Sequence, residues 1–143
     1  MAFAELPPDP NFTRAAESYR KGMKDLGRGL IFLAVLQLAL TCLLLFTQPD
    51  MALVVVLGFL SAVHIAMGVL ALCQQFWINY VVVGWATLII VLNLVAVGKQ
   101  AGDPAAGSNP GGCLGYLIMG ALIYYANKNM KAYWAMKKSE REF

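Results

Sequence analysis

Four long apolar blocks, none with an Asp, Glu, Lys or Arg inside it, constrain this chain more than any other feature. They run from Gly29 to Thr47, Met51 to Cys73, Phe76 to Val97 and Gly112 to Ala126. A hydrocarbon layer of about 30 Å takes roughly 20 helical residues to cross at about 1.5 Å each, and the first three blocks meet that length. The fourth is shorter. It is extended by Asn127 and Lys128, which can snorkel, and by Met130, Tyr133, Trp134 and Met136, which suit the interface. Tyr124, Tyr125, Tyr133 and Trp134 make an aromatic belt there, since such rings have one apolar and one hydrogen-bonding end. Only 13% of the 143 residues are charged and 59% are hydrophobic, against about 25% charged in ordinary soluble domains.

The expected fold is therefore an all-α membrane protein: a four-helix transmembrane bundle, up-down-up-down, preceded by an amphipathic interfacial helix. Residues 1–27 form the lead-in and amphipathic helix. Residues 28–126 hold spans at about 29–47, 51–73, 76–97 and 112–126, and 127–143 form a basic helical tail. Gln48-Pro49-Asp50 leaves room only for a tight hairpin between the first two spans, and Gln74 and Gln75 for another between the second and third. Gly98 to Gly111, rich in Gly, Pro, Ser and Asp, reads as an irregular polar loop, the one connection large enough to carry a site.

Charge sets the orientation. Ten of the eleven Lys and Arg residues lie in the two terminal segments: Arg14, Arg20, Lys21, Lys24 and Arg28, then Lys128, Lys131, Lys137, Lys138 and Arg141. Only Lys99 lies between. Cytoplasmic flanks carry the excess of positive residues, so both termini are expected in the cytoplasm and the number of spans is even. Either a bacterial cytoplasmic membrane or a eukaryotic membrane fits. With its first apolar block starting near residue 29, the chain lacks the pattern of a secretory signal, and the first span is expected to remain as an anchor. Pro7, Pro8 and Pro10 suggest an extended lead-in, with Asp9 or Asn11 capping the helix that follows. Phe12, Ala15, Ala16, Tyr19, Met23 and Leu26 then recur at steps of three or four on one face, opposite the charged residues. Such a helix lies in the headgroup region, its basic residues on anionic lipid, or packs that apolar face on neighbouring helices; the first is the expectation. Asn11-Phe12-Thr13 matches a glycosylation acceptor by chance, since this topology keeps it inside.

Within the spans the polar residues are few: Gln37 and Thr41 in the first, Ser61 and His64 in the second, Asn93 in the third. Gln37 and Thr41 share a face, and an amide or imidazole in hydrocarbon needs a partner across the helix interface. His64 shares its face with Ser61, Gly68 and Ala71, small residues that turn it into the protein. A proton relay or pH sensor is the functional reading of His64, whose ordinary pKa is about 6.5. No second ionisable group lies in the spans to take a proton, so a neutral ring making structural hydrogen bonds is the expectation. Two sets of small residues can pack helices, within one chain or between copies: Gly58, Ala62 and Ala66, and Gly111, Gly115 and Gly120. Cys42 and Cys113 belong to one leaflet and Cys73 to the other, with no paired spacing of a metal or redox motif; free thiols are the expectation, the alternatives being a Cys42–Cys113 disulfide and, in a eukaryote, a palmitoylated Cys73.

In size and number of spans the chain resembles the small multidrug transporters, but its first span has no glutamate, so their activity is not carried over. Ion-coupled carriers keep a charged group at depth, and none is present here. No triad, carboxylate pair, metal cluster or phosphate loop appears. The expectation is a non-enzymatic protein without cofactor or nucleic-acid partner. It would be a structural or accessory subunit in the lipid bilayer that self-associates or holds other membrane proteins. The alternative is a pore-forming or channel subunit of the holin or effector kind, which needs a polar stripe along a shared axis.

Overall fold

The computed structural model describes residues 10–47, 51–100 and 111–141. It is all-helical, with no strand among those residues: α1 spans Pro10–Thr47, α2 Met51–Leu72, α3 Ile78–Gln100 and α4 Gly111–Arg141. Three of these helices, α1, α2 and α3, are long and apolar enough to cross a membrane, so the chain is membrane-associated by length and composition. The Gln48-Pro49-Asp50 hairpin and most of the Gly98 to Gly111 loop lie outside the described residues.

One boundary differs from the sequence reading. The amphipathic segment and the first apolar block form one unbroken helix, α1, while the fourth block runs on into the basic tail as α4, along the extension that Met130, Tyr133, Trp134 and Met136 suggest. Pro10 belongs to the first turn of α1, where its fixed φ suits a helix and its missing N–H has no bond to lose. Continuity of α1 has a visible cause. Tyr19, Met23, Leu26, Leu30, Ala34 and Thr41 are all buried, with Gln37 half-buried, and they recur at steps of three and four. One helical stripe therefore runs through both segments. The apolar face of the amphipathic part is thus covered by protein, not left for lipid: Tyr19, Met23 and Leu26 are only 6%, 0% and 2% exposed.

Helix α1 is the spine. It packs along α2 and along α4, α4 also packs along α3, and α2 meets α3 only sparsely. Helices α1 and α2 come close at Gly27 and Gly68. A Cβ on Gly27 would sit 2.9 Å from the Gly68 carbonyl oxygen, and one on Gly68 would sit 3.0 Å from the Gly27 oxygen. Only hydrogen fits in both places.

The turn from α2 to α3 closes by backbone chemistry. Gln75 N donates to Leu70 O at 3.2 Å and Gln74 N to Ala71 O at 2.9 Å, with Gln74 at φ 59°. These are the paired bonds of a Schellman motif, in which the left-handed position is most often glycine. Here the Gln74 carbonyl gains a partner, accepting from Tyr19 Oη at 3.1 Å and so tying α1 to the turn.

Candidate functional site

Two buried polar clusters occupy different levels of the molecule. The first was legible in the sequence. His64 of α2 is buried, and its Nδ1 lies 2.7 Å from Leu60 O and 3.1 Å from Gln37 Oε1 on α1. Both partners are oxygens that only accept, so Nδ1 carries the proton and Nε2 the lone pair. The imidazole meets the Trp85 ring of α3 edge-on, with centroids 6.3 Å apart. His64 Nε2 and Trp85 Nε1 are buried without a hydrogen-bond partner, as is Tyr116 Oη on α4.

The other polar residues of the spans satisfy themselves differently. Thr41 Oγ1 donates to Gln37 O and Ser61 Oγ to Leu57 O, each at 2.8 Å and within its own helix. Asn93 is exposed, and its Nδ2 donates to Ile89 O at 2.8 Å. Its amide N–H is thus met by its own helix backbone, one turn away, with no partner across an interface among the described residues, a difference from the sequence reading. Among those residues, only Gln37 and His64 of the five bond between helices.

The second cluster was not singled out from sequence. Asn79 of α3 and Asn129 of α4 are 0% and 1% exposed. Asn129 Nδ2 reaches Asn79 Oδ1 at 3.4 Å and Met23 Sδ at 3.6 Å. Asn79 Nδ2 donates to Phe76 O at 2.9 Å and approaches Met23 Sδ at 3.3 Å. Gly22 lies against the Asn129 amide, where a Cβ would collide with Oδ1. Three helices are locked at one level by these groups. Beside them Phe76 stacks on Tyr133 at 3.8 Å between centroids, and Tyr19 and Trp134 pack against Tyr133 at 5.6 and 5.7 Å. A signal existed for this cluster: Met119, Leu122, Ala126, Asn129 and Tyr133 recur at helical steps, but the step runs past the end of the apolar block.

The small residues proposed for packing face outward in this chain. Gly58 and Gly115 are half-buried, while Ala62, Ala66 and Gly120 are exposed. No atom lies within 4 Å of where a Cβ on Gly58, Gly115 or Gly120 would stand. The Gly111 side of α4 lies outside the described side chains. Cys42 and Cys73 are free and exposed.

All the basic residues singled out from sequence gather at the end of the molecule where the N-terminal half of α1 meets the C-terminal half of α4. Arg14, Arg20, Lys21, Lys24, Arg28, Lys128, Lys131 and Lys138 are exposed there. Lys137 donates to Glu140 Oε2 at 2.9 Å, and that hydrogen bond, with the carboxylate's charge, raises the ammonium pKa. On an exposed surface such a pair contributes little to stability.

Set against known proteins, the chain matches no family model, no curated protein and no solved structure.

Proposed function

We propose that the protein is a non-enzymatic integral membrane subunit that assembles with copies of itself or with other membrane proteins. In this reading it crosses the bilayer four times, up-down-up-down, with both termini in the cytoplasm and the basic end in the headgroup layer. The observation that carries it is the uncovered half of the molecule. Gly58, Ala62 and Ala66 on α2 and Gly115 and Gly120 on α4 present small-residue surfaces with open space beside them. Around them stand large exposed apolar side chains such as Phe59 and Leu117. In lipid, helices associate through close backbone approach, so unfilled small-residue surfaces are where another helix gains most.

A pore is the less favoured reading, because Thr41, Ser61 and His64 are buried inside one chain and Gln37 is half-buried. A ring of copies would need such groups along its shared axis. The test is cysteine cross-linking in membranes, in a background with Cys42, Cys73 and Cys113 replaced by Ala. Single cysteines at Gly58, Ala62 and Ala66 are expected to give linked species with a short bifunctional reagent, and one at buried Ala34 none. Equal, absent linking at all four would count against assembly through this face.

A further inference from the structure

A groove follows the seam between α1 and α4, polar at the basic end and apolar farther along. Its polar part is a cavity of about 410 Å³ whose wall includes Arg14, Glu17, Lys21 and Asp25 of α1 and Tyr125 and Lys128 of α4. Its apolar part, about 380 Å³, is lined by Leu26, Gly29, Leu33, Ile118, Ala121 and Leu122. Asp25 and Tyr125 line both, so the two cavities adjoin along the seam. The glycines explain the shape. At Gly22 the seam is closed by Asn129, whereas nothing lies within 4 Å of where a Cβ on Gly29 would be. The helices touch at the polar level and part at the apolar one.

We propose that this groove binds one anionic glycerophospholipid. Its phosphate would lie by Arg14, Lys21 and Lys128, and an acyl chain would run over buried Leu26 and Leu122 toward Leu33. From Asp25 to Leu33 the apolar part follows α1 for about 12 Å at about 1.5 Å per residue. Three cations against the carboxylates of Glu17 and Asp25 leave the polar part at +1, complementary to a lipid of charge −1. Arg14, Lys21 and Lys128 make no ion pair among the described residues, so their donors are free for phosphate oxygens. Glu17 and Asp25 accept hydrogen bonds from headgroup hydroxyls, which makes a phosphatidylglycerol-like headgroup a better fit than choline. Tyr125, 44% exposed, stands at the junction of the two parts, where an amphipathic ring belongs. The proposal rests on the chain's lying in a membrane, not on its oligomeric state.

The test is native mass spectrometry of the full chain released from nanodiscs of equal phosphatidylglycerol and phosphatidylcholine. One phosphatidylglycerol per protomer is expected to be retained, at least fivefold over phosphatidylcholine. Lys21→Gln with Lys128→Gln should abolish that preference, bringing the ratio to about one, while Lys137→Gln with Lys138→Gln, the same charge removed elsewhere, should leave it. Gly29→Phe fills the apolar part and should expel lipid without touching a charge, which keeps the test decisive if the lysine variant misfolds. Equal loss from both lysine pairs, or lipid retained by Gly29→Phe, overturns the proposal. So does glycerol phosphate alone retained as well as the lipid, or a second protomer displaced by Gly29→Phe with no lipid bound. Lipid held by a lone protomer would leave this site standing and count against self-association instead.

Discussion

The two halves of this molecule are built on opposite terms. Toward the basic end, Tyr19, Met23, Leu26, Ile78, Leu122 and Ala126 are buried among four helices, and Asn79 and Asn129 close the level with hydrogen bonds. Toward the other end, Phe32, Phe46, Val55, Leu92 and Leu94 are exposed, Phe46 by 90%. The difference follows from the surroundings each half implies. At the level of Arg20, Lys21 and Lys24 the helices meet water or headgroups, and burying Met23 or Leu26 gains about 1.5–3 kcal/mol each by leaving water. In a hydrocarbon layer leucine gains nothing by turning inward, so only close contact and hydrogen bonds hold helices together. A chain can therefore be locked at its wet end and left open, for lipid or partners, along its dry end.

The sharpest way to break this comparison is a bulky residue at a glycine of each kind. Gly27→Leu drives a side chain into the Gly68 carbonyl and Leu72, and backbone cannot yield as a side-chain tip can; the expected loss is about 3 kcal/mol. Gly115→Leu meets open space and should leave the protomer's unfolding unchanged, altering only assembly. Thermal unfolding of both variants in detergent makes the check, and equal losses would erase the distinction between the halves.

Next in size is Asn129→Leu, which leaves the Asn79 Oδ1 acceptor buried and unpaired, a cost of about 2 kcal/mol. A double-mutant cycle with Asn79→Leu should recover part of that loss. Additive effects would mean the two amides act independently of one another.

His64 tests the middle level. His64→Leu removes the bond to Gln37 and should cost about 1 kcal/mol, whereas His64→Gln keeps a donor and an acceptor and should nearly preserve stability. A stable Gln variant that has lost a pH-dependent activity between pH 5 and 8 would assign the ring a titrating role in place of a structural one.

The smallest effect is a gain. Gln74 holds a left-handed conformation that costs a side-chain-bearing residue about 1 kcal/mol, and its bond from Tyr19 uses the backbone carbonyl. Gln74→Gly keeps that bond and should stabilise by about 0.5 kcal/mol once glycine's greater freedom in the unfolded chain is counted. A loss measured by the same unfolding assay would mean that the Gln74 side chain itself supports the turn.

How much of this was legible follows the same division. The apolar blocks anticipate α2 and α3 to within a few residues, because length and hydropathy govern a segment in hydrocarbon. The face Ser61, His64, Gly68 and Ala71 was also readable, since small residues beside a polar one mark an interior in lipid. Continuity of α1 was not, because the change from charged to apolar flanks looks like a boundary while the buried stripe beneath it runs on. Asn129 stayed hidden because it lies in a basic segment that reads as a solvated tail even where the helix continues. Gly22 and Gly27 stayed hidden too, since a glycine's neighbour across an interface leaves no mark in its own helix. For the groove between α1 and α4, the basic residues were visible but their meeting with Gly29 and Ala121 depended on packing.

The central claim is that the open half of the chain is covered by another protein chain. Its most direct measure is the mass of the particle taken from membranes into nanodiscs without passing through detergent. The account expects more than one chain per particle, with Gly58→Leu and Ala62→Leu together lowering the mass toward one chain while the protomer's unfolding temperature holds. A single chain per particle in the unmodified protein, across the concentrations tested, would contradict it.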